Sequence, residues 1–576
     1  MTDPTNQTNP PTEPPTPDHA SDHAPDHAPG QPSDSSATQS IPNQQTRAIP
    51  SGYQFPQASP TAAGAPEATV ASPAIGVTLA DEAPTKVSGR RGGKRTGLLV
   101  AGLAAALLLG GGAVFAAQQL SGGGAQPADV LPGDAYLYFR LDVDPSAGQK
   151  ISAVRFLNKL PQVKDNLGSG DPRQKLWDLV AKDDAKNCIS KLTYDGDIAP
   201  WLGDRVGVAL RPGGTAELPN LALAVEVKDE GKAQEVLGRM FACGGSDETD
   251  VRMKDGYAII TPKGRGDATI KAVNAGTLAA NANFSGDMAA VGEQGVMSMW
   301  FDAGAGIPEV QKLSKQTTSL LAAGTDVKGR VAAAVRFDPG YVELAGVSRG
   351  FQQAAGITAV KGDGTQLANL PDDTVAALHL AGTDQVLDQA WPALEKQIDS
   401  AASGAGQGDM VGQLESQLGV KLPDDLKVLL GRSMTIALPD QRFGQQEPVV
   451  GAKIVSSDAA RADQLVGKGE DAANASGFLT RKVDGDRLML ATTPDYLSKL
   501  ETGGKLGDAD AFKAAVSNPN TSVFAMYLDL DKLEKQYLSA VPADARPAVE
   551  SLRAVGLSTS VTGAGEGAFS FRVVGN

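Results

Sequence analysis

An internal repeat constrains the fold of this chain more than any other feature of its sequence. Residues 129–352 and 370–576 match at six places in the same order, with an offset that begins at 239 residues and ends at 227. The first match is Leu131-Pro132-Gly133-Asp134 with Leu370-Pro371-Asp372-Asp373. Later matches pair Ala224 with Ala452, Phe284 with Phe512 and Trp300 with Tyr527. Six ordered matches at a nearly constant offset predict two copies of one folding unit, with insertions and deletions confined to loops.

Each copy combines strand and helix patterns. Residues 135–143 alternate apolar and polar side chains, which is the period-two pattern of a strand with one face in the core. Apolar residues at helical spacing follow in 151–160, and 331–347 has the pattern of a hairpin that turns at Asp338-Pro339-Gly340. The second copy ends with a similar hairpin in 557–574. Strands and hairpins with interspersed helices predict an α+β fold in which each copy has a mainly antiparallel sheet.

The repeat also assigns side chains to the two faces of the predicted sheet. Phe139 and Leu378 occupy the same place in matched strands and are predicted to face the core. Arg140 and His379 follow them and are predicted to lie on a solvent-exposed face, where a substitution costs well under about 1 kcal/mol. His379 is therefore expected to be a polar residue of the sheet surface and not a catalytic base.

Residues 1–95 form a polar, proline-rich tail. They hold 16 of the 36 prolines, and Ser, Thr, Asn, Gln and Ala fill most of the rest. Such a segment buries too little apolar surface to offset its chain entropy, so it is predicted to be intrinsically disordered. Asp-His pairs recur at His19, His23 and His27. A weak metal site is one interpretation of these pairs, and simple repetition in low-complexity sequence is the favoured one.

An apolar segment follows the tail. Residues 97–117 contain six Leu, two Val, one Phe, seven Ala and five Gly, and no charged residue. At 1.5 Å per residue they span about 31 Å, which matches a bilayer core of about 30 Å and predicts a transmembrane helix. Five basic residues between Lys86 and Arg95 precede it, so the positive-inside rule places the tail in the cytoplasm and the rest of the chain outside. The alternatives are a buried soluble helix and a cleaved signal peptide, and the long preceding tail argues against the second.

The sequence therefore predicts six segments. They are a disordered Pro-rich cytoplasmic tail (1–95), a transmembrane helix (96–117), a flexible spacer (118–128), a first extracytoplasmic α+β repeat (129–352), a linker (353–369) and a second extracytoplasmic α+β repeat (370–576). Two related domains in tandem form a groove between them, and that groove is the predicted place for a ligand.

Composition excludes several classes of function. A net charge of −15 and a pI near 4.9 argue against a nucleic-acid-binding protein, because phosphates are bound by clustered Lys and Arg. Two cysteines exclude a Cys₄ zinc site, and neither a phosphate-binding glycine loop nor a metalloprotease motif occurs. We therefore expect no cofactor, no metal ion and no catalytic residue.

One catalytic alternative is the sequence Gly346-Val347-Ser348-Arg349-Gly350. It matches the nucleophile elbow of serine hydrolases and follows a predicted strand. His379 lies downstream, but the 30 intervening residues are too few for the strands that separate nucleophile and base in that fold. A chance match is favoured, and an envelope serine hydrolase remains the minor alternative.

Cys188 and Cys243 both lie in the predicted extracytoplasmic part. Because that compartment is oxidising, one structural disulfide between them is favoured. Closing this loop stabilises the fold by about 4 kcal/mol in the chain-entropy treatment. Two buried free thiols are the alternative.

The run Leu141-Asp-Val-Asp-Pro-Ser-Ala-Gly-Gln-Lys150, with Arg155-Phe156-Leu157 after it, resembles an actinobacterial family of single-pass membrane proteins. That family is known only as a domain of unknown function, and the resemblance covers the apolar segment and most of 129–576. It implies an envelope protein of high-GC Gram-positive bacteria. It brings no catalytic residues.

Together these features predict a membrane-anchored protein of the cell envelope that is a non-enzymatic binding or interaction module. Its predicted partners are the membrane itself and an envelope protein, lipid or wall component, with no role for nucleic acid. The main alternative is a transmembrane regulator that acts through its cytoplasmic tail.

Overall fold

The structure is a computed structural model that describes eleven stretches of the chain. They are residues 124–160, 171–183, 191–215, 218–243, 248–313, 328–351, 360, 362–404, 409–444, 447–563 and 565–576. Within these stretches, no helix combines the length and the apolar character needed to cross a membrane. The tail 1–95, the apolar segment 97–117 and Cys188 lie outside the described residues.

The described residues build one antiparallel sheet of sixteen strands. The first eight strands are β1 Leu137–Asp142, β2 Leu202–Leu210, β3 Leu221–Val227, β4 Thr249–Lys254, β5 Tyr257–Pro262, β6 Met297–Asp302, β7 Arg330–Phe337 and β8 Tyr341–Arg349. The second eight are β9 Thr374–Ala381, β10 Ser433–Pro439, β11 Gly451–Val455, β12 Thr480–Asp484, β13 Arg487–Ala491, β14 Ser522–Asp529, β15 Leu552–Gly563 and β16 Glu566–Gly575. The α+β class and the antiparallel sheet predicted from the sequence are confirmed.

The order of the strands is the same in the two halves of the sheet. It runs β4-β5-β3-β2-β1-β6-β7-β8 and continues as β16-β15-β14-β9-β10-β11-β13-β12. From either outer edge inward, each strand of the second half takes the place of the strand numbered eight lower. The halves join where β8 pairs with β16, from Tyr341 opposite Val574 to Arg349 opposite Glu566. Residues 129–352 and 370–576 therefore contribute to one sheet, and a continuous seam replaces the predicted groove between separate domains.

Helices follow the first, third, fifth and sixth strands of each half. In the first half they are α1 Ala147–Leu157, α2 Pro172–Asp183, α3 Glu230–Cys243, α4 Gly266–Ala275, α5 Ala282–Val291 and α6 Ala303–Leu313. In the second half they are α7 Thr365–Ala368, which precedes β9, then α8 Thr383–Gly404, α9 Met410–Leu418, α10 Asp424–Leu430, α11 Ala459–Ala472, α12 Pro494–Thr502, α13 Asp510–Ala515, α14 Leu530–Tyr537 and α15 Arg546–Glu550. Several begin at a capping side chain, since Ser146, Asn281 and Thr493 accept backbone N–H bonds in the first turns of α1, α5 and α12.

Matched aromatic pairs hold helices to the sheet in both halves. Phe284 of α5 meets Trp300 of β6 edge to face, with 5.6 Å between ring centroids. Phe512 of α13 meets Tyr527 of β14 in the same way at 5.2 Å. Both pairs are buried in the cores of their halves, and each contributes about 0.5–1.5 kcal/mol beyond the burial of its area. The repeat pairs these same residues at the sequence level.

The prediction that Arg140 and His379 are solvent-exposed is wrong. They are 5% and 0% exposed, and they lie on the same side of the sheet as the aromatic pairs, which we call the first face. Helices pack on both sides of the sheet, so an alternating strand has both of its faces covered. On the second face, Phe139 is buried as predicted, whereas Leu378 is only half-buried.

Candidate functional site at the seam

The structure does not bring the predicted serine and base together. Ser348 lies on the second face of β8, and His379 lies on the first face of β9. Three strands stand between β8 and β9, so about 19 Å separates them at 4.8 Å per strand. Ser348 is also part of a regular ladder, opposite Val331 and Gly567, and not on a turn into a helix. This pair therefore cannot act as nucleophile and general base.

The cysteine prediction falls on residues that the structure does not fully describe. Cys188 lies outside the described stretches, and Cys243 is the last residue of α3. The disulfide between them stays a prediction. Over the stretches of chain that are described, no three His, Cys, Asp or Glu side chains are grouped as ligands for a metal ion.

A pocket lies on the first face where β8 meets β16, and we call it the seam pocket. Its cavity volume is about 170 Å³, and residues of both halves line it. Ala345 and Ser570 face each other across the seam. They are also equivalent positions, because neighbouring strands align Ser298, Ala334 and Ala345 in the first half and Ala525, Ser558 and Ser570 in the second. The pseudo-twofold axis that relates the halves therefore passes through the seam pocket.

Two guanidinium groups and one carboxylate form one end of the seam pocket. Glu343 accepts hydrogen bonds from Arg336 Nε at 2.7 Å, from Arg572 Nε at 2.9 Å and from Ser570 Oγ at 2.7 Å. Burial by itself raises the pKa of the Glu343 carboxyl, but these three donors outweigh burial and hold the pKa below its usual value. The cluster thus carries one net positive charge, and Arg572 also lies 4.4 Å from the centroid of the Tyr341 ring.

Both arginines keep N–H groups beyond those that bind Glu343. Arg336 Nη1 donates to the carbonyl oxygen of Val291 at 3.3 Å, and Arg572 Nη1 donates to that of Ala514 at 3.3 Å. A guanidinium has five N–H donors, and each arginine uses two of them in these bonds. The charged end is therefore rich in donors.

The other end of the seam pocket is uncharged and carries hydroxyl groups. Ser560 lines it with Val347 and Ala568, and Ser558 lies at the middle of the pocket. The side-chain hydroxyl of neither serine forms a hydrogen bond with another described residue. The pairs Glu343–Arg572 and Val347–Ala568 are four residues apart along the strands, which is about 14 Å.

The two ends differ although the backbone that forms them is related by the pseudo-twofold axis. The strand register that makes Ala345 equivalent to Ser570 also makes Arg336 equivalent to Ser560 and Glu343 equivalent to Ala568. Among the described residues that line the pocket, charge therefore occurs at one end alone, although the backbone of the two ends is symmetric. A ligand with one charged end has a single preferred orientation there.

A second buried polar pair lies on the first face of the second half. His379 Nδ1 and Thr435 Oγ1 are 2.8 Å apart, and both residues are completely buried. Burial lowers the pKa of His379, and the nearby backbone and charge of Asp363 oppose this in part. The imidazole is therefore neutral near pH 7 and packs as a core group.

Part of the chain is similar to a protein family of unknown function. A family model described as "Protein of unknown function (DUF3352)" matches residues 98–284, from the apolar segment into α5. The expected similarity to a domain of unknown function is confirmed over those residues, and the second half lies outside the match. No curated protein and no solved structure matches the chain.

Proposed function

We propose that this chain is a membrane-anchored, non-enzymatic ligand-binding protein of the cell envelope, and that its ligand binds in the seam pocket. The observation that carries the proposal is the pocket itself. It is polar at defined points, it is built on a continuous sheet, and it has hydroxyl and guanidinium groups without a full set of partners. Few convergent polar groups in a concave site on a rigid scaffold are typical of ligand-binding pockets.

The anchor and the orientation belong to the same proposal. They are supported by the apolar segment 97–117 and by the basic residues that precede it. Reporter fusions before residue 90 should be active in the cytoplasm, and fusions at residue 576 should be active outside. The reverse pattern contradicts the orientation, and a mature protein that begins at Ala117 contradicts the anchor.

We also propose that the two halves arose by duplication of one unit and that an external disulfide links Cys188 and Cys243. The duplication is supported by the shared strand order. Mass mapping of envelope protein without reductant should recover the two cysteine peptides joined. Complete alkylation of both thiols under those conditions contradicts the disulfide.

The binding site is tested with the full chain in detergent and a small-molecule extract of the cell envelope. Equilibrium dialysis and mass spectrometry should show a compound that the wild-type protein enriches. Ser558→Leu and Ser560→Leu, which place a larger side chain in the seam pocket, should abolish the enrichment.

Thr559→Val is the matched control, because it lies between the two serines but on the second face. It should enrich the compound as the wild-type protein does. Thermal unfolding of each variant distinguishes a blocked pocket from a misfolded chain. No enrichment, or equal enrichment by all variants, contradicts a ligand site at the seam.

A further inference from the structure

The charged end of the seam pocket favours a ligand with a single negative charge. Arg336 and Arg572 carry two positive charges, and Glu343 cancels one of them. A monoanion balances the remaining charge, whereas a dianion leaves an excess and a cation is repelled. The planar fork of a guanidinium also matches a carboxylate in a bidentate geometry.

The hydrogen-bonding groups of the pocket indicate which polar groups the ligand carries. The free groups of the two arginines donate only, and Glu343 already accepts three bonds. The ligand must therefore supply oxygen acceptors at this end. The hydroxyls of Ser558 at the middle of the pocket and of Ser560 at the far end both donate and accept, which suits hydroxyl groups of a ligand.

The size of the seam pocket limits the ligand further. Its volume of about 170 Å³ is close to that of an engineered cavity of about 150 Å³ that holds benzene, so one six-membered ring fits. Val347 and Ala568 offer a small apolar surface beside the hydroxyls. This combination complements a sugar ring, which has hydroxyls at its rim and C–H groups on its face.

From charge, donors and size, we infer that the seam pocket binds a hydroxylated monocarboxylate of one ring, that is, a sugar acid. Its carboxylate lies at Arg336 and Arg572, and its hydroxyls lie at Ser558 and Ser560. This inference rests on the proposed function of the pocket. The same chemistry is present in a free sugar acid and at the acidic end of an envelope polysaccharide.

Calorimetry on the full chain in detergent tests the class of ligand. The probes are glucuronate, its neutral counterpart glucose, inorganic phosphate, and a disaccharide that ends in glucuronate. Glucuronate should bind saturably and at least about tenfold more tightly than glucose or phosphate, since one matched charge pair in a shielded site accounts for such a factor. Tighter binding of the disaccharide identifies a polysaccharide end as the source, and tighter binding of glucuronate identifies the free acid.

Variants separate a binding role from a structural one. Glu343→Gln removes the internal anion, so glucuronate should bind more tightly and phosphate should begin to bind. A purely structural role for Glu343 predicts weaker binding instead. Ser560→Val should weaken glucuronate several-fold and leave acetate, which has no hydroxyls, unchanged, and Thr559→Val should change neither. If Glu343→Gln does not fold, the binding of glucuronate and acetate to Ser560→Val still shows whether the pocket binds the hydroxyl groups of the ligand.

The possible failures can be told apart. Equal binding of glucose and glucuronate, or no binding of any carboxylate while an envelope compound still depends on Ser558, overturns the sugar-acid inference and keeps the proposed function. Loss of both the probes and the envelope compound overturns the proposed function as well.

Discussion

The two halves of the sheet share a strand order but bury different chemistry beside their central strands. In the first half, Asp142 forms ion pairs with Arg140 and with Arg205, whose Nε lies 3.1 Å away, and all three residues are buried. In the second half the pairing register places other residues at the same three positions, namely His379, Ala381 and Ser433. The charged cluster of one half is thus a neutral set in the other.

The difference between the halves indicates that the three charged residues are replaced together. Removing one partner of a buried ion pair costs about 3–5 kcal/mol, because an uncompensated charge stays in the core. Replacing all partners by neutral residues is often close to neutral. Two related halves can therefore carry either set, whereas a mixture of the two is strongly destabilised.

Replacing one residue of the charged cluster by its neutral counterpart should cause the greatest loss of stability. Asp142→Ala should lower the free energy of unfolding by about 3–5 kcal/mol, because Arg140 and Arg205 lose their shared carboxylate. The triple change Arg140→His, Asp142→Ala and Arg205→Ser places the residues of the second half at these three positions and should cost less than Asp142→Ala alone. Glu226 loses its ion pair with Arg205 in this variant, but its side chain is 24% exposed and stays partly solvated. Urea unfolding followed by tryptophan fluorescence measures both.

An ion pair with an exposed carboxylate serves as the control for this series. Asp134 accepts a hydrogen bond from Arg211 at 2.6 Å, but its side chain is 54% exposed. Asp134→Ala should therefore cost less than about 1 kcal/mol. A triple variant that is less stable than Asp142→Ala would show that the charges are not one unit.

The next largest effect compares the second face in the two halves. Phe139→Ala should cost about 3–5 kcal/mol, because Phe139 is 5% exposed and its removal leaves a cavity. Leu378→Ala should cost about 2 kcal/mol or less, since Leu378 is only half-buried and the site can be solvated. Equal losses in chemical unfolding would show that the two halves cover this face equally.

Acid should act on one half through His379. Burial holds the pKa of His379 below the ordinary value of 6.5, so the unfolded chain takes up the proton first as the pH falls. The stability from the neutral imidazole is complete above pH 6.5 and declines below it, by at most about 1.4 kcal/mol per pH unit for one proton.

Urea midpoints at pH 8 and pH 5 measure the effect. The wild-type protein should lose more stability between these values than His379→Gln, in which the same position does not titrate. Identical pH dependence of the two proteins would mean that protonation of His379 does not couple to unfolding.

The smallest effect concerns Ser348, whose equivalent position in the second half is Val573. Ser348→Val makes the halves alike and should change stability by no more than about 0.5 kcal/mol. Ser348→Ala should also complement any loss-of-function phenotype fully. Labelling of Ser348 by a fluorophosphonate probe is the result that argues for the hydrolase alternative.

The sequence predicts the folding unit well where matched residues play one role in both halves. Leu131 accepts a hydrogen bond from the N–H of Leu278, and its match Leu370 accepts one from Leu506. The hairpin predicted in 331–347 is formed by β7 and β8, and its turn lies at residues 338–340 as predicted. These positions are large apolar residues in fixed turns and strands, so their pattern carries the necessary information.

Register is predicted less well in strands rich in small residues. The sequence pairs Ala224 with Ala452, but the structure makes Lys453 the counterpart of Ala224, since each faces a matched residue of the neighbouring strand, Gly207 and Thr435. Alanine fits either face of a sheet, so an alanine match does not fix which residue faces the core.

The seam pocket could not be predicted from the sequence. Alternation in β8 and β16 separates Glu343, Ser570 and Arg572 from their apolar neighbours, but it does not say which strands pair. The seam joins residues that are 217 to 233 positions apart, and no local pattern encodes such a pairing. The burial of Arg140 and His379 could not be predicted from the sequence either, because tertiary packing decides which side of a strand is covered.

Since β16 pairs in the middle of the sheet but follows all the other described strands in the chain, the sheet is completed only after the second half has been synthesised. The edge of β8 stays unpaired until residues 566–575 have been synthesised, and these follow Arg349 by more than 200 residues. At about 5–20 residues per second, that interval is roughly 10–40 s, during which an open strand edge can pair with other chains. A translating ribosome that stops within this interval leaves an aggregation-prone fragment, so chaperones that shield strand edges should act on this chain between β8 and β16.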